Sequence, residues 1–296
     1  MTTYSPESVD EVARYQAKKL VKEGDAAFAK ACGEYARNDL FRSLNETIIA
    51  NVGRDRDKGA MFARVPTGFE TCTFCLMLAS RGAVYHSRKA AGEFRHFHRN
   101  CDCKVVPSFE DDPEAELVQG VKPRELYERY KVFEQIDSME TLNASDKREL
   151  KERALKVDVG LITGKKLGSV KYVKRRDSLE EHERAGIDYL LLNGFDIETI
   201  EENPSAPANL DISMNGELWE MKNLTNCASS VSNQVKRARI KWYKLGLSSP
   251  SRCVFTNEGN MDEFSETCAA LEKRRRPGEV FVVVSNSGVL NVLKDK

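Results

Sequence analysis

The stretch "NLDISMNGELWEMKN" at residues 209–223 permits few backbone arrangements. Two short runs of alternating apolar and polar residues flank Asn215-Gly216, the pair preferred in two-residue turns between antiparallel strands. A hairpin is therefore predicted, in which Met214 pairs with Glu217, Ser213 with Leu218, Ile212 with Trp219, and Asp211 with Glu220. Alternation then gives the strands one apolar face (Ile212, Met214, Trp219, Met221) and one polar face (Asp211, Ser213, Glu220, Lys222).

The polar face places two carboxylates opposite each other, and like charges in that position destabilise a sheet. A divalent cation, Mg²⁺ or another, would compensate the charges of Asp211 and Glu220, because such ions bind carboxylate oxygens. Lys222 shares this face and would orient or polarise an attacking water. A proton shared by the two carboxylates is an alternative, and a surface hairpin with its polar face in water is the non-functional interpretation. The spacing predicts Asp211, Glu220 and Lys222 as catalytic residues of a nuclease.

The helix predicted before the hairpin, "SLEEHERAGIDYLLLNG", supplies a further acid. Ser178 is the expected N-cap, with Glu181 as its capping-box partner. The inward apolar stripe of this helix, traced back one turn from Ile187, reaches Glu183. An acid on a sheet-facing stripe is costly without a partner, so Glu183 is the predicted third catalytic carboxylate.

The helix predicted after the hairpin, "SSVSNQVKRARIKWYKLG", has one apolar stripe and is otherwise basic, with no acid between residues 231 and 245. A basic helix with aromatic residues beside a carboxylate site suits a nucleic-acid backbone, although charge runs taken alone are usually solvated surfaces. The predicted substrate-binding residues on it are Lys236, Arg237, Arg239, Lys241 and Lys244.

Cysteine and histidine residues cluster between residues 72 and 103. Cys72-x2-Cys75 followed by a His-x2-Cys-x-Cys run matches a tetrahedral structural Zn²⁺ site with a closed ligand shell. The favoured ligands are Cys72, Cys75, His98 and Cys101. Cys103 is the alternative fourth ligand, His96 and His86 are less favoured, and a small core of reduced thiols is the metal-free interpretation.

The cysteine segment resembles the Mu F-type phage minor head proteins, a family of head-morphogenesis proteins. The resemblance is carried by "VPTGFETCTFCLMLASRGAVY" and "FHRNCDCKVVP", and covers roughly residues 40–110. It implies a capsid-associated carrier with phage head or portal proteins as partners. Proteins of this type can also carry a C-terminal toxin domain.

The C-terminal features resemble the PD-(D/E)XK nuclease superfamily, and within it the tRNA-nuclease domains of CdiA-type contact-dependent inhibition toxins. The similar residues are His182-Glu183, "LDISMNGELWEMKN" and the helix that contains Gln234, over residues 178–245. The resemblance implies an active site of Glu183, Asp211, Glu220 and Lys222, with the metal held mainly by Asp211 and Glu220. Gln234 would contact substrate. The position before Asp211 is Leu210, so the literal "PD" is absent.

Composition limits the class of protein without selecting one. The chain has 296 residues and zero formal net charge, so any nucleic-acid signal has to be local. Its N-terminus lacks a secretory signal, and no run of 18 apolar residues predicts a membrane span. The predicted fold is multidomain and mainly α at the N-terminus, followed by an α/β restriction-endonuclease-like domain with a mixed central sheet. The predicted divisions are a helical region 1–65, a zinc-binding segment 66–110, charged helices and a linker 111–176, and a nuclease domain 177–296.

Three functions are compatible with these features. The first is a toxin-like protein in which a phage-head carrier precedes a metal-dependent nuclease that cleaves tRNA. A cognate immunity protein is then an expected partner, and the protein would be found in the virion or bacterial cytoplasm and act in the cytoplasm of a target cell. The second is a virion protein whose C-terminal domain binds nucleic acid or protein without cleaving it. The third is a DNA endonuclease.

Overall fold

The computed structural model describes residues 6–67, 71–91, 103–224, 227–248 and 251–295, without the side chains of residues 6–9, 12, 16, 19, 38 and 227–229. The chain divides into two compact units, Met1–Tyr130 and Lys131–Lys296. No helix among the described residues is long and apolar enough to cross a membrane.

Helices and a two-stranded sheet form the first unit. Its elements are α1 (Pro6–Glu23), α2 (Asp25–Arg54), β1 (Met61–Val65), α3 (Thr73–Ala79) and β2 (Lys104–Ser108), and the unit ends within α4 (Pro123–Ser138). β1 lies inside the region predicted to be helical, where it pairs antiparallel with β2 from Met61↔Ser108 to Val65↔Lys104. The buried Asn45 side chain fixes α2 to this sheet, donating to the Cys103 carbonyl at 3.1 Å and accepting from the Val105 amide at 2.9 Å.

The second unit is an α/β domain. Its elements after α4 are α5 (Ala144–Lys156), α6 (Val159–Ile162), β3 (Val170–Lys171), α7 (Glu181–Leu192), β4 (Ile197–Thr199), β5 (Ile212–Met214), β6 (Glu217–Leu224), α8 (Cys227–Lys244), β7 (Arg252–Asn257), α9 (Met261–Glu272), β8 (Val280–Ser285) and β9 (Leu290–Leu293). In the described residues the seven strands make one mixed sheet in the order β3-β4-β5-β6-β7-β8-β9. The β6–β7 and β7–β8 pairs are parallel, while β4–β5, β5–β6 and β8–β9 are antiparallel. The predicted mixed sheet is confirmed.

The hairpin forms as its turn residues predict. Asn215 and Gly216 both have positive φ, 51° and 81°, which is the requirement of the turn that matches strand twist. Met214 pairs with Glu217, and the register continues to Ile212↔Trp219, as predicted. The four residues assigned to the apolar face, Ile212, Met214, Trp219 and Met221, are all buried.

Helices cover both faces of this sheet. α7 approaches closely at Gly186, where an added Cβ would lie 2.6 Å from the Met221 methyl group. On the opposite face, Leu224 packs in a core that includes Val231 and Val235 of α8 together with Cys253 of β7. The even-numbered side chains of β6, including Glu220, therefore point towards α8 and are covered by it.

Residues 131–178 belong to the second unit, so the predicted boundary at residue 177 falls inside a compact body. The buried Asp188 of α7 accepts two hydrogen bonds from Arg176, both at 2.8 Å, and one from Arg153 of α5, at 2.8 Å. The segment interpreted as a linker also contributes β3, which pairs with β4. The glycines and basic residues of 160–178 predict a linker, whereas Arg176 of this segment is a partner of the buried Asp188.

Candidate active site in the second unit

The backbone brings Asp211 and Glu220 together at the end of the hairpin. The Asp211 amide donates to the Trp219 carbonyl at 3.2 Å, so Asp211 lies opposite Trp219, and the paired register of β5 and β6 ends at Ile212↔Trp219. The Asp211 carboxylate also accepts from the Met221 amide at 2.6 Å, so its position is fixed by the neighbouring strand. Glu220 is fully buried beneath α8, with 0% exposure.

Two lysines compensate these carboxylates. Lys222 forms an ion pair with Glu220 Oε1, and its ammonium also donates to the Met221 carbonyl at 3.0 Å. Lys241 of α8 reaches the same Oε1 at 2.6 Å and lies 3.7 Å from Asp211 Oδ1. The sequence predicted Lys222 here, but it placed Lys241 on a surface that contacts phosphates. The signal for Lys241 was its position directly before the buried Trp242, at the edge of the apolar stripe.

Glu220 and Lys241 differ in how well their surroundings stabilise the charged form. Burial, with the adjacent Asp211 charge, raises the pKa of Glu220 to about 7, although the two lysines act in the opposite direction. Burial would lower the pKa of Lys241, but its contacts with Glu220 and Asp211 raise it overall. Glu220 Oε2 is buried and has no hydrogen-bond partner among the described residues. A buried carboxylate oxygen without a protein partner is costly, and it is available to a water molecule or a cation.

Asp211 and Glu220 fit the requirements of Mg²⁺, which proteins usually hold by one or two carboxylates together with water and substrate phosphate oxygens. The unpartnered Oε2 of Glu220 supplies a ligand atom, and Asp211 is close enough to share the Lys241 ammonium with Glu220. Among the described residues, however, no group of three or more His, Cys, Asp or Glu side chains is placed to hold a metal ion. The described part of the chain would therefore provide two carboxylates.

Glu183 is not brought into such a three-carboxylate group. Its carboxylate accepts from the Glu180 amide at 2.8 Å and so closes the N-terminus of α7. Ser178 instead ends a 3-10 turn, where its hydroxyl donates to the Arg175 carbonyl at 2.7 Å, so the predicted Ser178–Glu181 capping box is wrong. Helix α7 begins at Glu181, and Glu183 becomes its capping acid.

Lys174 connects Glu183 electrostatically with the site. Its ammonium donates to Glu202 at 2.9 Å. That hydrogen bond raises the pKa of Lys174, burial opposes the rise, and the charges of Glu183 and Asp211 add to it. Sequence reasoning missed Lys174 because it lies in the segment interpreted as a linker.

The other predicted substrate-binding residues separate into two groups. Arg239 is engaged within the unit, where it donates to both carboxylate oxygens of Glu279, at 2.8 and 2.6 Å. The half-buried Gln234 donates to the Asn223 carbonyl at 3.2 Å. The exposed residues of the predicted set are Lys236, Arg237 and Lys244. Lys236, Arg237 and Lys244 are thus accessible to a substrate, whereas Arg239 and Lys241 pair with acidic residues of the unit, and substrate binding stays a prediction.

The structure describes part of the predicted zinc site. Cys72 is the N-cap of α3, and its sulfur accepts from the Cys75 amide at 3.4 Å. The buried Cys75 sulfur is 3.8 Å from an Arg64 nitrogen, and Cys103 is also buried. His86 Nδ1 lies 3.3 Å from the Ala60 carbonyl. His96, His98 and Cys101 lie outside the described residues, so the complete ligand set stays a prediction.

Comparisons with known proteins concern the N-terminal region. Residues 1–133 match the VG15 protein family. The Gene 15 protein of Mycobacterium phage L5 is 35% identical over a stretch covering 17% of this chain and 29% of the relative. The Gene 15 protein of Mycobacterium phage D29 is 36% identical, over 17% of this chain and 28% of the relative.

The chain spans less than a third of the length of these curated relatives. No solved structure matches it. The comparisons show similarity to phage Gene 15 proteins, and the family match ends at residue 133. The Mu F-type and contact-dependent inhibition resemblances stay predictions.

Proposed function

We propose that the second unit is a metal-dependent nuclease and that the first unit associates it with a phage head. The observation that carries the enzymatic proposal is Glu220, a fully buried carboxylate with one unpartnered oxygen, beside Asp211 and Lys222. A buried carboxylate oxygen is stabilised when it gains a partner, so this oxygen supports a ligand-binding role for Glu220. A divalent cation that also binds a substrate phosphate would give this Glu220 oxygen a partner.

The element order supports the same proposal. α7, the antiparallel strands β4, β5 and β6, helix α8 and the parallel strand β7 follow one another as in the PD-(D/E)XK core that the sequence resembles. Asp211 directly precedes β5, Glu220 lies in the adjacent strand β6, and Lys222 follows Glu220 on the same face of β6. The likeness of order is an analogy between folds, and the proposed chemistry rests on the side chains.

The proposed reaction is hydrolysis of a phosphodiester bond. A bound divalent cation would neutralise charge on the scissile phosphate. Asp211 and Glu220 would hold that cation, and Lys222 would orient the attacking water through its ammonium, which the Met221 carbonyl already positions. The exposed basic residues of α8, Arg237 and Lys244, would contact the nucleic-acid backbone.

We propose tRNA as the substrate, with Mg²⁺ as the cation. The test is incubation of the purified full chain with tRNA and, separately, linear double-stranded DNA, in Mg²⁺ or in EDTA. Cleavage should require Mg²⁺ and should be lost in Glu220→Gln and Lys222→Ala. Glu201→Gln, which alters an exposed carboxylate, should retain it.

The outcomes of this experiment separate the candidate functions. Absence of cleavage of both substrates by the wild-type chain rejects the nuclease. Cleavage of DNA alone favours a DNA endonuclease over a tRNA nuclease. A non-enzymatic virion protein is the second candidate, and the similarity of residues 1–133 to phage proteins favours it if no cleavage is found.

The remaining proposals concern partners and the second metal. If the nuclease acts in the cytoplasm of a target cell, a protective immunity protein is an expected partner, alongside phage head or portal proteins. Structural Zn²⁺ would be held by Cys72 and Cys75 with His98 and Cys101, or Cys103 in place of Cys101. Metal analysis of the purified full chain should find about one Zn²⁺ per chain. Less than about half an equivalent would reject the zinc site.

A further inference from the structure

Lys241 holds a position that the sequence did not assign to it. It lies on α8 next to the buried Trp242, and its side chain is 34% exposed along a path from the surface to the carboxylates. The long stem of lysine allows this, because it can pass over apolar surface while its ammonium reaches a polar group. In this case the ammonium reaches inward, to Glu220 and Asp211.

The two lysines of the site are held differently. Lys222 follows Glu220 on the same strand and is additionally fixed by the Met221 carbonyl. Lys241 comes from another element, and its contacts in the site are with the carboxylates that would bind the cation. Both ammonium groups meet the same oxygen of Glu220, which leaves Oε2 without a partner among the described residues.

The charge balance of the site changes when a cation binds. With Asp211 and Glu220 both ionised, as cation binding requires, the two carboxylates and two ammonium groups sum to zero, so a divalent cation added beside both lysines would leave an excess of two positive charges among these groups. Such an excess is unfavourable at low dielectric, and the more loosely held lysine is the one displaced. Outside the site, Lys241 would join Arg237 and Lys244, which lie four residues before and three residues after it on the same side of the helix.

We propose that Lys241 is an exchangeable counterion. It neutralises Asp211 and Glu220 in the metal-free protein and gives up both carboxylates when a divalent cation binds. Its ammonium then lies with the exposed basic residues at the mouth of the site, where an anionic substrate would meet it. This inference rests on the proposed function, since it requires the metal site, and it assigns Lys241 a role in metal loading and substrate positioning.

The first test is Mg²⁺ binding by the metal-free full chain, measured by calorimetry without nucleic acid. Lys241→Met removes the competing charge and keeps the stem, so Mg²⁺ should bind about tenfold more tightly, equivalent to about 1.4 kcal/mol. Lys241→Gln also removes the positive charge and should likewise tighten Mg²⁺ binding. Lys244→Met, an exposed lysine three residues further along, should leave the affinity unchanged.

The second test needs no substitution. Amine-reactive labelling of the wild-type chain, read by peptide mass spectrometry, should modify Lys241 faster with Mg²⁺ than without it, while Lys244 reacts equally in both. Unchanged Mg²⁺ affinity in both Lys241 variants, or a labelling rate of Lys241 that Mg²⁺ does not raise, overturns the exchange and leaves the nuclease proposal intact. If neither the wild type nor the variants bind Mg²⁺, the proposed metal site is rejected and the exchange with it.

Discussion

Replacing Glu220 by glutamine should make the second unit more stable above neutral pH. Burial raises the pKa of this carboxyl from its ordinary value of 4.5 to about 7. The folded protein then keeps a proton that the unfolded chain releases near pH 4.5, so the stability contributed by Glu220 falls as the pH rises from 4.5 to about 7. At 1.36 kcal/mol per pKa unit, the loss is about 3 kcal/mol.

The measurement is a pair of urea titrations at each pH between about 4 and 8.5, in EDTA, for the wild type and Glu220→Gln. The chain has two tryptophans, Trp219 and Trp242, and both are buried in the second unit. Their fluorescence therefore reports the unfolding of the unit that contains Glu220. The free energy of unfolding of the wild type, minus that of the variant, should fall by about 3 kcal/mol across this range and then level off.

The free energy of unfolding of the variant is subtracted from that of the wild type because other carboxyl groups make stability rise, not fall, with pH. Hydrogen bonding from Arg239, Arg276 and Ser251 outweighs burial and lowers the pKa of Glu279, so that group adds stability as the pH rises. Glu201→Gln serves as the control, since it removes an exposed carboxyl and should leave no such slope. A wild-type-minus-variant difference that stays flat or rises between pH 4.5 and 7 would refute the reasoning. Mg²⁺ should reduce the loss, because it favours the ionised carboxylate.

Three further outcomes are expected from the structure. Arg176→Met should lower the free energy of unfolding by about 3–5 kcal/mol, as expected when a buried carboxylate loses a partner; Arg175→Met, from an exposed ion pair, should cost at most about 1 kcal/mol in the same urea titration. A fragment of residues 131–296 should unfold cooperatively when followed by tryptophan fluorescence, whereas a fragment of residues 177–296 should not. Equally cooperative unfolding of the two fragments would contradict the packing of α5 on α7. Gly216→Ala should cost about 1 kcal/mol because φ is 81° at that position, and a neutral result would show that the turn relaxes.

The hairpin was predictable because its information is local. Asn215-Gly216 specifies the turn, the turn specifies the register, and alternation assigns each side chain to a face. These rules predict that Asp211, Glu220 and Lys222 lie near one another, but the paired register ends at Ile212↔Trp219, and a hydrogen bond from the Met221 amide positions the Asp211 carboxylate. The strand pattern does not predict which helix covers each face of the sheet. α8 buries Glu220 completely, and that burial depends on contacts between residues far apart in the sequence.

The errors have a common physical origin. The capping box was predicted for Ser178 and Glu181, but a 3-10 turn ends at Ser178, the helix begins later, and Glu183 is its capping acid. Lys241 and Arg239 looked like members of one solvent-exposed basic face. In the structure each has acidic partners from other elements, Glu220 and Glu279 respectively. Pairing of charges between distant segments leaves no periodic signal in a single sequence.

The buried carboxylate of Asp188 also bears on how such a chain can recombine during evolution. Its partners, Arg153 and Arg176, lie before the point where the nuclease-like motifs begin. A recombination crossover just ahead of α7 would take Asp188 from one parent sequence and positions 153 and 176 from another. Those two positions could then hold another lineage's arginines or no arginines at all. Exchange of this C-terminal module between proteins should therefore carry residues 131–176 along with it. Junctions between unrelated N-terminal and C-terminal parts are expected upstream of α5, at the edge of the compact unit.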